Sequence, residues 1–403
     1  MAIVVLGNGP SAVSAVEAMR KKGYRGEVIM VSPEPYPAYT PCFLADYLKG
    51  YTPEERLYIK DTDFYSELNI KLIKGVSAES MDADKKKVTL SDGSEIGYEK
   101  LLIATGAKPI VPEIDGVDGR GVYTFKSLND AKTLIQDVKP ESPVVVVGAG
   151  FIGLEVAEAL KLKGARVTVI EMRSQILPQM LEHEAASIVM EHIEKNGLTV
   201  LTDTRVERIV RGTDDNITHV FTSRGETIPC RYVVFAVGVR PNIEMFKDTP
   251  IITSRGIVVN QQMLSSVDDV YAAGDVTEIE IDGKRIYNPI HPLAVLGGQV
   301  AGENMLDPGS RRIDWIPERL NVIRLFGLYV CCVGLTDAPQ SIKIKQNGLF
   351  KKVFLDDTNR LRGVEIIGTA ENAGVYLSAI QKTVPVNDDL INRPHYIPPA
   401  FSC

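Results

Sequence analysis

The sequence has no run of about 18 or more uncharged apolar residues, so no transmembrane helix is expected. It has no basic block, and 45 Lys+Arg stand against 52 Asp+Glu for a net charge of −7, which argues against nucleic acid as a partner. Cysteine is sparse and scattered. Cys42, Cys230, Cys331, Cys332 and Cys403 form no C-x-x-C pair, so no zinc or iron–sulfur site within the chain, and no other metal, is expected. That usage fits a reducing cytoplasm. Residues 2–6 already read as a strand with no signal peptide ahead of them, and the same compartment is expected. What is present is an ordinary globular balance, 44% apolar and 24% charged over 403 residues, enough for two or three domains.

The chain is organised around Val144–Glu171. Four valines read as a fully buried parallel strand. Gly148, Gly150 and Gly153 follow in the spacing G-x-G-x-x-G, then an amphipathic run from Phe151 to Lys163, a stop at Gly164, a second strand Val167–Ile170, and an acid, Glu171. Gly148 makes the turn out of the strand. Gly150 lets backbone approach a pyrophosphate, and Gly153 lets helix pack on sheet. The N–H groups around Phe151 and Ile152 and the helix dipole suit phosphate. Glu171 stands where an acid accepts hydrogen bonds from a ribose diol and repels a 2′-phosphate, so NADH is expected over NADPH.

A second unit of this kind opens the chain. Ala2–Leu6 reads as a strand, and Gly7-Asn8-Gly9-Pro10-Ser11-Ala12 as its turn. A helix to about Lys22 and a strand Glu27–Val31 follow. Ala12 takes the third glycine's place, where a small residue suffices. The acid is displaced into Ser32-Pro33-Glu34, making Glu34 the candidate ribose contact. Pro35–Gly50 reads as an extended loop leading into a helix over 43–48. Cys42 stands at the N-terminus of that helix, where the dipole favours an anionic sulfur, so it is a candidate reactive thiolate as well as a candidate packing cysteine. Residues 53–68 read as helical, 70–103 as short strands with an Asp92-Gly93 hairpin, and Ser127–Val138 as a helix. Helices are expected over Glu182–Asn196, His291–Leu306 and Glu371–Lys382. Strands are expected at Leu320–Leu325, Tyr329–Gly334, Ile342–Gln346, Lys351–Leu355 and Leu361–Ile367. Cys331 and Cys332 fall in one of these, where adjacent side chains point to opposite faces, and a structural role is expected for them. His291, in a loop between prolines, is a candidate neighbour of a bound dinucleotide or a helix cap. A Pro-rich apolar tail, 393–403, reads as a docking arm or a frayed end.

Two dinucleotide units suggest two dinucleotides, a tightly held FAD and an exchanging NAD(H). With Gly7-Asn8-Gly9, Ala104-Thr105-Gly106, the central glycine unit, Val237-Gly238-x-Arg240-Pro241-Asn242 and Ala273-Gly274-Asp275, nearly the whole chain resembles the FAD-dependent pyridine nucleotide–disulfide oxidoreductases. The resemblance implies an α/β fold with two Rossmann-like dinucleotide-binding domains and a small α+β interface domain. The implied boundaries are 1–110 and 237–310 for FAD, 111–236 for NAD(H), and 311–403 for the C-terminal interface domain, which would carry a homodimer or hetero-oligomer contact. It further implies that Gly7, Gly9, Pro10, Ser11, Ala12, Glu34, Thr105, Gly106 and Asp275 serve FAD. Gly148, Gly150, Phe151, Ile152, Gly153, Glu171, Val237 and Gly238 would serve NAD(H). Phe151 would gate the nicotinamide pocket and Glu155 would lie near the carboxamide.

The chain departs from the disulfide reductases proper: no C-x4-C pair follows the first unit, and no His-x4-Glu pair lies near the C-terminus. Its 35–50 loop is similar to two branches. Cys42 occupies the column of the single-cysteine NADH oxidases, peroxidases and coenzyme A disulfide reductases, with Ala38 where those carry serine. Tyr39-Thr40 match the rubredoxin, ferredoxin and nitrite reductase flavoproteins, with Pro41 in place of a base. Residues 367–376 look like the interface domain of electron-transfer flavoprotein subunits, including those of 2-oxoacid (phenylglyoxylate-type) oxidoreductases. The expected function is an FAD-dependent NADH oxidoreductase exchanging electrons with an iron–sulfur protein or partner subunit. The alternative is an NADH oxidase, peroxidase or coenzyme A disulfide (polysulfide) reductase that uses Cys42. A degenerate FAD-binding assembly protein is a third class, and the intact second glycine unit and Glu171 speak against it.

Overall fold

The computed structural model describes residues 2–346, 348–383, 385 and 386; the 393–403 tail and Cys403 lie outside the described residues. The chain divides into two compact units. One comprises residues 1–44, 52–108 and 239–317; the other comprises 45–51, 109–238 and 318–403.

The first unit is built on a sheet in the order Ile70–Lys74, Val28–Ser32, Ala2–Leu6, Glu95–Ile103, with Val270–Ala272 joining Glu95–Ile103 on its far side. These pairings are parallel, with Val4 beside both Ile29 and Leu101 and with Tyr271 beside Leu102. Every residue of Ala2–Leu6 is buried, as expected of a strand covered on both faces. The helix Pro10–Lys21 packs on a helix nearly three hundred residues on, His291–Asn304. Small residues make the approach possible: a Cβ on Gly298 would stand 2.1 Å from the Ser11 carbonyl oxygen, and one on Gly302 2.3 Å from that of Ala15. The Ser14 hydroxyl crosses the contact and donates to the Val295 carbonyl at 3.0 Å.

The second unit repeats the plan. Its parallel sheet runs Thr199–Leu201, Arg166–Ile170, Pro143–Val147, Tyr232–Phe235, Val122–Thr124, with the helix Phe151–Leu162 between its two central strands in sequence. A three-stranded antiparallel sheet, Val206–Arg211, Ile217–Thr222 and Thr227–Pro229, follows it. The C-terminal part is a five-stranded antiparallel sheet in the order Leu320–Leu325, Leu328–Gly334, Leu361–Ile367, Leu349–Leu355, Gln340–Gln346. The helix Ala373–Gln381 covers one face, on a core that includes Cys331, Val333, Val364 and Tyr376. The chain is thus α/β, with two Rossmann-like sheets and a small α+β part.

One expected helix is absent. Residues 53–68 form only a 3-10 turn, Glu54–Arg56, and a short helix, Asp63–Glu67. The stretch between them bonds back to the proline-rich loop instead. The Leu57 carbonyl accepts from the Thr40 N–H at 2.9 Å, Ile59 N–H donates to the Ala38 carbonyl at 2.9 Å, and Tyr58 bridges Tyr39. Tertiary partners for those backbone groups outweigh local helix propensity.

Candidate functional site

In the first unit the strand Ala2–Leu6 ends at Gly7, whose φ of 130° suits glycine, and a Cβ there would stand 2.2 Å from the Ala104 carbonyl oxygen. Gly9 caps the following helix at an ordinary φ of −88°, and a Cβ on it would meet nothing within 4 Å. Neither strain nor packing within the protein requires glycine at that position. The open space over it is what a pyrophosphate needs for close approach to backbone. Pro10 occupies the first turn, and no side chain caps the N-terminus where Ser11 and Ala12 lie; Ala12 is fully buried.

The Ala273-Gly274-Asp275 turn lies on this loop: a Cβ on Gly274 (φ 86°) would come 2.7 Å from the Ser11 Oγ. Asp275 is half-buried. Near it, the Tyr287 Oη is buried with no hydrogen-bond partner among the described residues. Burial, and then the Asp275 charge, pushes that phenol up to about 12, so it is an intact donor. A buried donor without a partner is costly, and this one suits a polar ligand group. The Thr105–Gly106 turn is latched to the Pro241-Asn242 segment: Asn242 Nδ2 donates to the Thr105 carbonyl at 2.7 Å, and Asn242 N–H to that of Gly106 at 3.0 Å. Glu34 is half-buried and takes the Tyr39 hydroxyl on both carboxylate oxygens at 2.9 Å. Cys42 lies in the 3-10 turn Pro41–Phe43, before rather than at the start of the short helix Leu44–Lys49. Its N–H donates to the Thr40 Oγ1 at 3.3 Å. Cys42 and Phe43 are both exposed. His291 is the exposed first residue of its helix.

The second unit repeats the device. Gly148 (φ 104°) lies against Ala236, whose carbonyl oxygen a Cβ would approach to 2.5 Å. Gly153 lies against the Gly148 carbonyl oxygen, 1.9 Å from its own Cβ position. Gly150, with φ −76°, faces open space like Gly9. No side chain caps the helix that begins at Phe151. Glu171 is buried and braces the loop: Oε2 accepts the Ala149 N–H at 2.7 Å and Oε1 the Arg173 N–H at 2.9 Å. Each oxygen keeps a lone pair for a diol. Ile152, Met172 and Val237 are exposed apolar side chains. They follow the carboxyl ends of three adjacent parallel strands, Pro143–Val147, Arg166–Ile170 and Tyr232–Phe235, which is the edge where open α/β sheets bind ligands. Gly238 (φ 114°) closes the set, its carbonyl accepting from Ile110 N–H at 2.9 Å.

A family model described as "Pyridine nucleotide-disulphide oxidoreductase" matches residues 1–295. The chain belongs to this family. An NADH oxidase of Methanocaldococcus jannaschii is 32% identical over 316 residues, covering 76% of this chain and 70% of that protein. The epsilon subunit of the NADH-dependent phenylglyoxylate dehydrogenase of Aromatoleum evansii is 27% identical over 385 residues, 94% of this chain and 90% of the subunit. Among solved structures, the NADH:rubredoxin oxidoreductase of Clostridium acetobutylicum superposes with a TM-score of 0.80 at 26% identity, over 97% of this chain and 99% of that one. As a member of the family the protein is an FAD-dependent NAD(H) oxidoreductase. The two open glycine positions and the unpartnered Tyr287 hydroxyl fit such cofactors.

Three features escaped sequence reasoning in this family member. Met172 was legible only as an apolar residue after the acid. Tyr287 carries no motif. Around Glu155, which is half-buried, the structure adds Asp46, Lys49 and Glu158, whose charges bear on its carboxyl. No sequence spacing joins residues 46 and 49 to 155 and 158.

Proposed function

We propose that this protein oxidises NADH and passes the electrons, through FAD, to an iron–sulfur protein or to a partner subunit of an electron-transfer complex in the cytoplasm. The observation that carries this reading is the pair of matched glycine loops, each with one glycine, Gly9 or Gly150, whose missing side chain would meet nothing within 4 Å among the described residues. The likeness to an NADH:rubredoxin oxidoreductase and to a dehydrogenase subunit supports an outward route for the electrons. So does the state of three of the four described cysteines: Cys230, Cys331 and Cys332 are buried, and burial pushes each thiol up to about 12, while Cys42 is exposed. Thiols so held are poor nucleophiles.

FAD, when bound, accepts a hydride as an electron pair and can release electrons singly. The chain's residues bind and orient. Gly7, Gly9, Pro10, Ser11 and Ala12 offer backbone to the FAD pyrophosphate. Asp275 and Tyr287 hold its sugar and ribityl hydroxyls, Thr105 and Gly106 line it, and Glu34 takes a ribose. Gly148, Gly150, Phe151, Ile152 and Gly153 receive the NADH pyrophosphate, and Glu171 its adenosine ribose. Val237 and Gly238 flank the nicotinamide half, and Glu155 stands beside the carboxamide. The proposed domain division is 1–110 with 237–310 for FAD, 111–236 for NAD(H), and 311–403 as the docking surface for a second copy or a partner.

The test is acceptor reduction. NADH with catalytic amounts of the FAD-loaded protein should reduce a rubredoxin, a ferredoxin or a co-purifying iron–sulfur subunit, and Cys42→Ser should keep that rate within about twofold. A Cys42→Ser protein that binds FAD yet is dead toward every acceptor would overturn this reading. It would favour the second one, in which the exposed Cys42 cycles as a redox thiol, as the NADH oxidase relative invites.

A further inference from the structure

Glu158 lies one turn after Glu155 on the Phe151–Leu162 helix and is buried. Its Oε1 accepts the Phe326 N–H at 2.5 Å, and its Oε2 stands 2.7 Å from the Lys49 Nζ. Lys49 is sealed in as well: its side chain is 4% exposed, and Nζ also stands 3.6 Å from the Asp46 Oδ1. One buried cation therefore serves the buried Glu158, the half-buried Glu155 on the same helix face, and Asp46, whose side chain is 41% exposed. Burying net negative charge is costly, and the cost falls when one acid takes a proton. Lys49 is committed to Glu158 and Asp46, and Glu158 also holds a backbone N–H. The proton therefore falls to Glu155, whose carboxyl is pushed up to about 7, first by burial, with Lys49 pulling it down against Asp46 and Glu158.

Among the described residues, the strands Pro143–Val147, Arg166–Ile170 and Leu320–Leu325 pack on this helix. Pro143–Val147 has no ionisable residue. Arg166 is exposed beside Glu141, and Arg324 is exposed over the Tyr329 ring.

We propose that Lys49, Asp46 and Glu158 form a positioning cluster that sets the charge of Glu155 and thereby makes NAD+ binding depend on pH in the neutral range. The proposal rests on the reading of Glu155 as the group beside the nicotinamide. When dihydronicotinamide gives up its hydride, with both bonding electrons, to the flavin, the ring that remains is a pyridinium cation. An ionised Glu155 attracts that cation and a protonated one does not; the uncharged ring of NADH is nearly indifferent. A carboxylate that ionises near neutrality thus holds oxidised nucleotide more tightly as pH rises.

The experiment is equilibrium binding of NAD+ to the oxidised, FAD-loaded protein between about pH 6 and pH 8.5. The wild-type dissociation constant should fall several-fold across that range, with its midpoint near 7. Glu158→Gln releases Lys49 toward Glu155 and should move the midpoint down by about one unit, and Lys49→Met should move it up by a similar amount. Because Lys49→Met strands a buried charge, the double variant Lys49→Met/Glu158→Gln, which strands none, is measured beside it; its midpoint should fall between the two single variants. Glu155→Gln should bind NAD+ with no pH dependence. If Glu155→Gln is flat but the cluster variants keep the wild-type midpoint, the cluster proposal is overturned while the reading of Glu155 stands. If the pH dependence survives in Glu155→Gln, that reading itself fails.

Discussion

Gly150 and Gly153 stand three residues apart and are glycine for different reasons. A Cβ on Gly150 meets nothing within 4 Å, whereas one on Gly153 would lie 1.9 Å from the Gly148 carbonyl oxygen. Gly150→Val should leave thermal stability nearly unchanged while weakening NADH by about tenfold or more, because the side chain enters the space proposed for the pyrophosphate. Gly153→Val should instead overpack helix on strand and destabilise the protein by about 1–3 kcal/mol. Melting curves and NADH titrations of the two variants check the contrast; equal loss of stability in both would contradict it. Glu171 has a proposed ribose contact, read from the sequence, and a bracing role that the sequence does not show. Its place after the second strand announces a ribose contact, but its bonds to the Ala149 and Arg173 N–H groups appear only once the chain is folded. Glu171→Gln should therefore cost NADH affinity through a loosened loop as well as reduce the preference for NADH over NADPH by about tenfold. Steady-state kinetics with both nucleotides would show a preference left intact if the account is wrong.

At the scale of elements, periodicity and punctuation were strong guides wherever one segment is stabilised by its own pattern. Ser127 caps its helix by accepting from the Asp130 N–H, and Leu320–Leu325 alternates between the more exposed and the more buried face as a strand should. The guide fails at 53–68, where distant backbone supplies the hydrogen bonds. It also cannot see contacts such as that of Glu365, which is buried on the Leu361–Ile367 strand and takes the Glu182 N–H at the start of the His183–Lys195 helix on its Oε1 at 2.6 Å. Burial raises this carboxyl from 4.5 to about 7. A folded-state value above the unfolded one means that its contribution to stability is complete below 4.5 and is lost as pH rises through 7. Glu365→Gln, which cannot ionise, should lose less stability than the wild type between pH 5 and pH 8 in denaturant unfolding. Parallel pH profiles for the two proteins would refute the role given to Glu365.

For the whole molecule, the two dinucleotide units were legible because each is local: strand, glycines, helix, strand and acid lie within one short stretch of chain. The return of residues 270–304 to complete the first sheet was legible through the family resemblance and the Ala273-Gly274-Asp275 turn, not through any periodicity. The cluster of Asp46, Lys49, Glu155 and Glu158 was not legible at all, since it joins side chains a hundred residues apart. Among the described residues no helix is long and apolar enough to cross a membrane. The central claim is that bound FAD is the chain's only electron store between NADH and an external acceptor. The most direct measurement is an anaerobic titration of the purified FAD-loaded protein with NADH, followed by its visible spectrum. The account predicts full bleaching by one NADH per flavin, with no long-wavelength thiolate–flavin band and the same endpoint in Cys42→Ser. Uptake of a second equivalent, with such a band that Cys42→Ser abolishes, would contradict it and make Cys42 a redox centre.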